Sequence, residues 1–489
     1  MKDNVAAAKA ALSHLDIEEK DVAIKAASRD FFWYSPVLKA RLDHVTADFV
    51  VRPRSEAEVI EILKTCFAHD CPVTTRGAGT GNYGQAMPLE GGCVMHLRHM
   101  DKVKEIHPGR VITEPGVLLK DLDAATKKHS GQELRMFSST WATATIGGFI
   151  AGGSGGVGSC TWGSLRDLGN IIRLRVVTME AEPRILEFRG EELARVSHAY
   201  GTNGIITELE MPLAPAYDWT EMFVATDDFM DAVRFAEDLA NQDGILMKLG
   251  TVFEAPIAHE YFQRVKPHVQ PGTNMIGLMI APHSMDGFLT FLGRRPEARL
   301  IYRSDDNDWE RGPGPVFEYG WNHTTLRALK VDPSITYLQV RYGFPNHKAL
   351  IEKMQAEFSP EILQHLEVLR ESGKVMFAGL TLVKFTTEER LDEIIRAHEE
   401  AGRRAARPIA LVQGIGIGMG AIAGLSILRA SWPSVSAGAS ATGVAMLDTV
   451  GRVTAMSAAW VETAPLWLAA GFLAAVIGVP LAVYAATRD

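Results

Sequence analysis

The sequence predicts an α+β protein with two folded parts and an apolar tail. Near residue 50, a strand, a helix and a second strand follow one another with short joints, as in a βαβ unit. Between residues 216 and 400, strand-like runs such as MIGLMIA and VMFAGLTLV alternate with helical patterns, which favours an antiparallel sheet covered by helices. From residue 409 onward Ala, Gly, Val and Leu dominate. We therefore divide the chain into an N-terminal extension (1–45), a first domain (46–215), a second domain (216–402) and a tail (403–489).

The composition excludes one class of partner and indicates a cellular setting. The 489 residues carry a net charge of −9, so no basic excess points to a nucleic acid. The cysteines show no paired spacing typical of a metal site, and we expect reduced thiols in a cytosolic setting. The first 21 residues lack an uninterrupted apolar core, so no signal peptide is predicted.

The first domain opens with the strand ADFVVRP, a helix capped by Ser55 with Glu58, and the strand CPVTT. The glycine-rich stretch TTRGAGTGNYG, Thr74–Gly84, extends from the end of that second strand, where ligands gather beside parallel strands. Its glycines let backbone N–H groups turn toward an anion, and Arg76 adds charged donors for a phosphate. No helix follows directly and the loop has no Lys, which excludes the dinucleotide fingerprint and the P-loop. A glycine-rich surface turn is the alternative.

A second glycine-dense stretch, Ser138–Asp167, contains eight glycines and no charge before Arg166. Each glycine inside a regular element costs roughly 0.5–1 kcal/mol relative to Ala, and contact of the backbone with a large flat ligand would offset that cost. A flexible linker is the alternative, but linkers rarely carry residues such as Trp141 and Trp162. The turn Tyr200–Gly204, before another strand, offers a third approach to the same ligand.

Together these motifs resemble a known flavoprotein family. The order R-G-x-G-T, E-P-G, T-I-G-G…G-G…G-S-x-R-D and G-x-x-G-I-I-T-E-L is similar to that of the vanillyl-alcohol oxidase / p-cresol methylhydroxylase type, over about residues 45–215. The resemblance implies a two-subdomain PCMH-type domain that binds FAD. No His lies between Arg76 and Gly84, so we expect non-covalent FAD. The resemblance implies that FAD contacts Arg76, Gly77, Ala78, Gly79, Thr80, Gly81, Pro115, Gly116, Thr145, Gly148, Gly152, Gly155, Gly156, Ser159, Gly204, Ile205 and Ile206.

The resemblance implies that the second domain is a cap over the flavin that binds the substrate. Helices are predicted at 227–241, 347–357 and 386–403. In the cap, His323 is a candidate proton acceptor, Arg341 a candidate holder of an anionic substrate or reduced flavin, and Tyr319 a further candidate. The alternative for each is a satisfied structural group. The zinc-binding stretch of related 2-hydroxyacid dehydrogenases is missing, which argues against a metal.

The tail holds two uncharged stretches long enough to cross a bilayer, 409–428 and 466–485. Arg403, Arg404 and Arg407 precede the first, so a hairpin would leave the flavin domain at the cytoplasmic face of a membrane. The same composition would also fit an apolar segment buried within the domain, or an aberrant or artificial C-terminus. Members of the resembled family usually end in a polar segment with a loop that returns to the flavin. The tail contains no such loop.

From these observations we expect an FAD-dependent oxidoreductase that oxidises a small hydroxylated substrate by hydride transfer to the flavin. The alternative is a membrane-anchored flavin-binding protein with a scaffold role and little turnover. The sequence identifies neither the substrate nor the electron acceptor, for which O2, a quinone and a carrier protein are all candidates.

Overall fold

The structure is a computed structural model that describes residues 1–153, 155–306, 309 and 312–404. Within it, Met1–His398 belong to one compact unit. The α-helices of the described residues are α1 (Asp3–Ala11), α2 (Asp21–Ala27), α3 (Pro36–Leu42), α4 (Glu56–Ala68), α5 (Leu119–Ser130), α6 (Ile146–Gly152), α7 (Ser159–Trp162), α8 (Phe229–Ala240), α9 (Ile257–Tyr261), α10 (Met285–Gly293), α11 (Asn322–Leu329), α12 (His347–Phe358) and α13 (Glu388–Arg404). The strands are β1 (Ile17–Glu18), β2 (Phe49–Val51), β3 (Val73–Arg76), β4 (Cys93–His96), β5 (Val103–His107), β6 (Arg110–Thr113), β7 (Gln132–Leu134), β8 (Arg173–Val177), β9 (Ile185–Phe188), β10 (Ile205–Pro215), β11 (Thr220–Thr226), β12 (Met247–Phe253), β13 (Asn274–Ile280), β14 (Ala298–Arg303), β15 (Ile335–Tyr342), β16 (Ile362–Leu363), β17 (His365–Glu371) and β18 (Lys374–Lys384).

The first sheet contains the βαβ unit that the sequence predicts. Its strand order is β1-β2-β4-β3, and β2 and β3 both run parallel to β4, which lies between them. The side chain of Ser55 caps α4 by accepting a hydrogen bond from Glu58 N at 3.3 Å. The Glu58 carboxylate accepts from Arg54 N at 2.9 Å, one residue earlier than a reciprocal capping box requires. Strand β3 is at the edge of the sheet, and the glycine loop begins where it ends, at Arg76.

The second sheet is antiparallel, in the order β5-β6-β10-β8-β9, with β7 paired to β10. The glycine-dense stretch between β7 and β8 forms the short helices α6 and α7 with loops around them. Thr145 caps α6 through its hydroxyl, which accepts from Gly148 N at 3.2 Å. These glycines therefore serve one short capped helix and the turns beside it.

The third sheet confirms the antiparallel arrangement predicted for the second domain. Its order is β14-β11-β13-β12-β17-β18-β15, with β16 paired to β18, and every pairing is antiparallel. The helices α8 and α12 lie within a few residues of their predicted bounds. Helices α10 and α11 were not predicted from the sequence. This matters for α11, because it begins inside the stretch YGWNHT.

The N-terminal residues are integrated into the first sheet. Strand β1 pairs antiparallel with β2 through Ile17 and Val51. The side chains of Val5 and Leu12 are buried in the same apolar cluster as Phe49. Residues 1–45 thus supply an edge strand and part of a core, whereas the sequence pattern predicts only a surface extension.

Among the described residues, no helix is both long enough and apolar enough to cross a membrane. The two candidate spans, 409–428 and 466–485, lie outside the described residues.

Candidate functional site

One cleft brings together the two glycine-rich stretches and the second domain. Its lining comes from residues 75–83 of the first stretch, from residues 85 and 86 just after it, and from 138–140, 144, 145, 147–149, 151–153, 155 and 156 of the second. His198 and Tyr200 add to it from the turn before β10, and Trp321, Asn322 and Gln339 add to it from the second domain. The cleft has an empty volume of about 1270 Å³, counting space open to solvent. It is large enough for a ligand of cofactor size.

Gly79 and Arg76 determine the shape of the first loop. Gly79 has φ +68°, and a Cβ on it would lie 2.1 Å from Cζ of Arg76. The Arg76 guanidinium donates to the carbonyl oxygens of Ala78, at 3.2 Å, and of Arg29. The sequence predicts Arg76 as a phosphate ligand. In the structure Arg76 lines the cleft and its guanidinium donates to backbone carbonyls of the loop and of the N-terminal segment, and its contact with a phosphate stays a prediction.

Asp30 lies beneath the same loop. Its carboxylate accepts from Phe32 N at 2.8 Å and from Ala86 N at 3.5 Å. Burial raises the pKa of Asp30 to about 6, although these N–H groups and the charge of Arg76 act in the opposite direction. A buried carboxyl with a pKa of about 6 therefore bonds the backbone just after the glycine loop.

Gly77 allows the first loop to contact the start of α6. A Cβ on Gly77 would lie 2.2 Å from Oγ1 of Thr145, the residue that caps that helix. Gly156 is similarly constrained, because its Cβ would lie 2.3 Å from the carbonyl oxygen of Phe137. A Cβ on Gly155 would lie 3.3 Å from the indole of Trp321 in the second domain. Because these three positions have no Cβ, the backbone at the wall of the cleft packs closely against Thr145, Phe137 and Trp321.

The structure places most of the predicted cofactor residues in this cleft and some outside its lining. Those that line it are Arg76, Gly77, Ala78, Gly79, Thr80, Gly81, Thr145, Gly148, Gly152, Gly155 and Gly156. The residues outside the lining are Pro115, Gly116, Ser159, Gly204, Ile205 and Ile206.

Packing explains several of the residues outside the lining. Pro115 lies against Gly147, whose Cβ would approach it to 2.5 Å, and a Cβ on Gly116 would lie 2.2 Å from the carbonyl oxygen of Leu97. Ile205 and Ile206 are in β10, in register with β8. Close packing of the backbone therefore accounts for Pro115 and Gly116, and the cofactor contacts expected of the residues outside the lining stay predictions.

The three catalytic candidates lie outside the cleft lining. His323 faces a second pocket, and burial lowers its pKa to about 4, with the charge of Arg327 adding to the effect. Tyr319 is fully buried and its hydroxyl donates to the carbonyl oxygen of Pro313 at 2.6 Å. Arg341 forms an ion pair with Glu371. None of the three lines the cleft, and their catalytic roles stay predictions.

The polar residues on the cap side of the cleft were not predicted from the sequence. Gln339 donates a side-chain hydrogen bond to the hydroxyl of Tyr83, which burial keeps protonated by raising its pKa to about 12. Trp321 adopts φ +50°, a conformation in which a bulky residue is strained. Its backbone N–H donates to the buried carboxylate of Glu367. Strained residues of this kind cluster at ligand sites.

Unpartnered polar atoms in the cleft show what it can bind. The Nδ2 of Asn82, the Nε1 of Trp321 and the Oδ1 of Asn322 are buried and have no hydrogen-bond partner among the described residues. All three residues line the cleft. Buried polar groups are normally satisfied, so these three atoms are available for hydrogen bonds with a polar ligand or with water. Together with the glycine-lined walls, they fit a large cofactor that carries polar groups.

Comparison with known proteins identifies a domain in the part of the chain that carries both glycine-rich stretches. Residues 47–187 match the model of the FAD binding domain family. The chain therefore carries a PCMH-type FAD binding domain, and its homologues include FAD-linked oxidoreductases. Two solved structures of alkyldihydroxyacetonephosphate synthase show the same fold. Their TM-scores are 0.61 and 0.62, at 14% and 16% identity, with 79% and 81% of this chain and 77% and 81% of those chains covered.

Three relatives resemble part of the chain. An uncharacterised FAD-linked oxidoreductase of Mycobacterium tuberculosis is 30% identical over 200 residues, which is 38% of this chain and 42% of that protein. The glycolate oxidase subunit GlcD of Bacillus subtilis is 31% identical over 194 residues, or 38% and 41% of the two chains. A D-lactate dehydrogenase of Archaeoglobus fulgidus is 31% identical over 211 residues, or 40% and 45%. The chain thus spans less than half the length of the curated relatives it matches.

Proposed function

We propose that the protein is an FAD-dependent oxidoreductase that oxidises a small hydroxylated substrate, with the FAD held non-covalently. The observation that carries this proposal is the single cleft in which both glycine-rich stretches of the FAD binding domain face Trp321, Asn322 and Gln339 of the second domain. Glycolate and D-lactate, after which two of the relatives are named, are small hydroxy acids and support this substrate class.

The residues of the chain have separable tasks in this proposal. Bound FAD would supply the hydride acceptor. Gly77 and Gly79 let the loop backbone approach the cofactor, and Arg76 fixes the loop through the carbonyls of Ala78 and Arg29. On the opposite wall, Asn322 and the Tyr83–Gln339 pair supply polar groups that would orient a hydroxylated substrate. The non-covalent attachment is supported by the lack of His between Arg76 and Gly84.

The test begins with the visible spectrum of the purified protein. A flavin band that acid precipitation releases into the supernatant is the expected result, and flavin retained in the pellet would contradict non-covalent binding. The substrate class is then tested by anaerobic mixing with a panel of alcohols and hydroxy acids. Bleaching by at least one hydroxylated compound is expected. A bound flavin that none of them reduces would contradict the proposed reaction while leaving FAD binding intact.

The electron acceptor is identified in a second stage. The reduced protein is mixed separately with O2, a soluble quinone and a one-electron carrier protein, and the return of the oxidised flavin band is timed. Fastest return of the band with O2 would define an oxidase. Fastest return with the quinone or the carrier protein would define a dehydrogenase.

A further inference from the structure

A second pocket lies beside the first turns of α11, with an empty volume of about 690 Å³ that includes space open to solvent. It shares no lining residue with the flavin cleft. Its charged and ionisable lining residues are Arg264, Glu318, His323, Arg327 and Lys330. Three permanent cations therefore face one carboxylate, which leaves the pocket with an excess of positive charge.

Arg327 is fixed in orientation by its neighbours. Its Nε donates to the carbonyl oxygen of Glu318 at 3.0 Å, and its guanidinium lies 4.1 Å over the ring of Tyr319. The side-chain contact with Glu318 is longer, with 3.6 Å between Nη2 and Oε2. A stacked guanidinium that already uses one donor on the backbone still offers other donors to a ligand.

The two other cations are not neutralised within the described residues. Neither Arg264 nor Lys330 has an ion pair or a side-chain hydrogen bond with any residue that the structure describes. His323 is held uncharged by its low pKa of about 4, so at neutral pH it provides a neutral donor or acceptor beside them. Cations that converge on one concave surface without partners form an anion-binding site.

We propose that this pocket binds a small ligand through a phosphate group, at a site separate from the flavin cleft. A tetrahedral dianion has enough oxygens to accept from Arg264, Arg327 and Lys330 from different directions, whereas a carboxylate is satisfied by one guanidinium. The pocket is also positioned to affect the cleft. Trp321 and Asn322 line the cleft, and the next residue, His323, lines the pocket.

The test uses the FAD-loaded protein, so that the flavin occupies any phosphate-binding surface of the cleft. Isothermal titration with inorganic phosphate and with phenyl phosphate, at constant ionic strength, is expected to show one saturable site. Arg264→Met and Lys330→Met should each weaken binding by about tenfold, the scale of a lost hydrogen bond to a charged group. The matched control is Arg294→Met, which removes an exposed cation that follows α10 and should leave the affinity unchanged.

Two results would overturn the proposal: no saturable binding of either probe, or equal affinity in the pocket variants and the wild-type protein. Tighter binding of phenyl phosphate would identify a phosphate ester as the natural ligand, and tighter binding of inorganic phosphate would identify the free ion. The FAD-to-protein ratio, measured in each variant, should stay constant. The experiment requires no turnover, so its failure is distinct from failure of the proposed oxidation.

Discussion

Gln339, on the cap sheet, donates a side-chain hydrogen bond to the hydroxyl of Tyr83, on the first glycine loop. The two residues are 256 positions apart in the chain. Tyr337 lies two residues before Gln339, and its ring centroid is 6.4 Å from that of Tyr83. One strand of the cap thus holds the loop that lines the cofactor cleft, through a polar contact and a ring contact together.

Tyr83→Phe and Gln339→Leu should lose the same interaction. In a double-mutant cycle followed by denaturant unfolding, we expect a coupling free energy of about 0.5–1.5 kcal/mol, the usual worth of one hydrogen bond. Tyr83→Phe combined with Gln242→Leu is the control, because Gln242 bonds only locally to the Asp238 carbonyl in the described structure. A coupling indistinguishable from that control would mean that the contact does not link loop and cap.

Gly79→Val should remove most of the bound FAD while the protein stays folded. The β-branched side chain is strained at φ +68° and would also overlap the Arg76 guanidinium, so the loop must move. We expect the FAD-to-protein ratio to fall by about tenfold or more. Gly109→Val carries the same kind of backbone strain, at φ +77°, but its Cβ meets nothing within 4 Å. An equal loss of flavin in the two variants would show that backbone strain in general, and not a change in the glycine loop, causes the loss of FAD.

Tyr319→Phe should lower stability without slowing flavin reduction. Deleting the hydroxyl leaves the carbonyl oxygen of Pro313 without this partner, which costs about 1–2 kcal/mol in the free energy of unfolding. Stopped-flow reduction at saturating substrate should match the wild-type rate, because Tyr319 does not line the cleft. The same deletion at Tyr83, inside the cleft, is the comparison. A reduction rate that falls only in Tyr319→Phe would restore Tyr319 as a catalytic residue.

Asp30 should give the protein a distinctive pH dependence. Its pKa is raised in the fold from 3.8 to about 6, so folding favours the protonated form. The stabilisation it provides is fully present below about pH 4 and is lost as the pH rises through 6, a change of about 3 kcal/mol. The unfolding free energy of the wild type should therefore fall relative to that of Asp30→Asn as the pH rises from 4 to 7.

The glycine-rich walls of the cleft were predictable from residue types, because glycine is required wherever backbones approach closely. Gly77 and Gly79 are examples, since any Cβ at either position would overlap a side chain that shapes the loop. The antiparallel cap sheet was also predictable, from alternating strand and helix patterns. The insertion of β4 between β2 and β3 was not, because strand order depends on long-range pairing that no local pattern specifies.

The polar side of the cleft could not be assigned from sequence for a geometric reason. Asn322 and His323 are adjacent at the start of α11, and neighbouring helical positions point about 100° apart. Residue type favoured His323, but the turn at Trp321 directs Asn322 to the cleft and His323 to the second pocket. Likewise, the sequence did not reveal that Arg76 is engaged by a carbonyl 47 residues earlier in the chain.

The first glycine loop is built from parts of the chain that are distant in sequence. Phe31 N donates to the carbonyl oxygen of Gly81 at 2.7 Å, and Arg76 binds the carbonyl oxygen of Arg29. The conformation of the glycine loop therefore depends on residues 29–31 as well as on its own sequence. The cofactor surface is shared between two segments that lie about fifty residues apart in the chain.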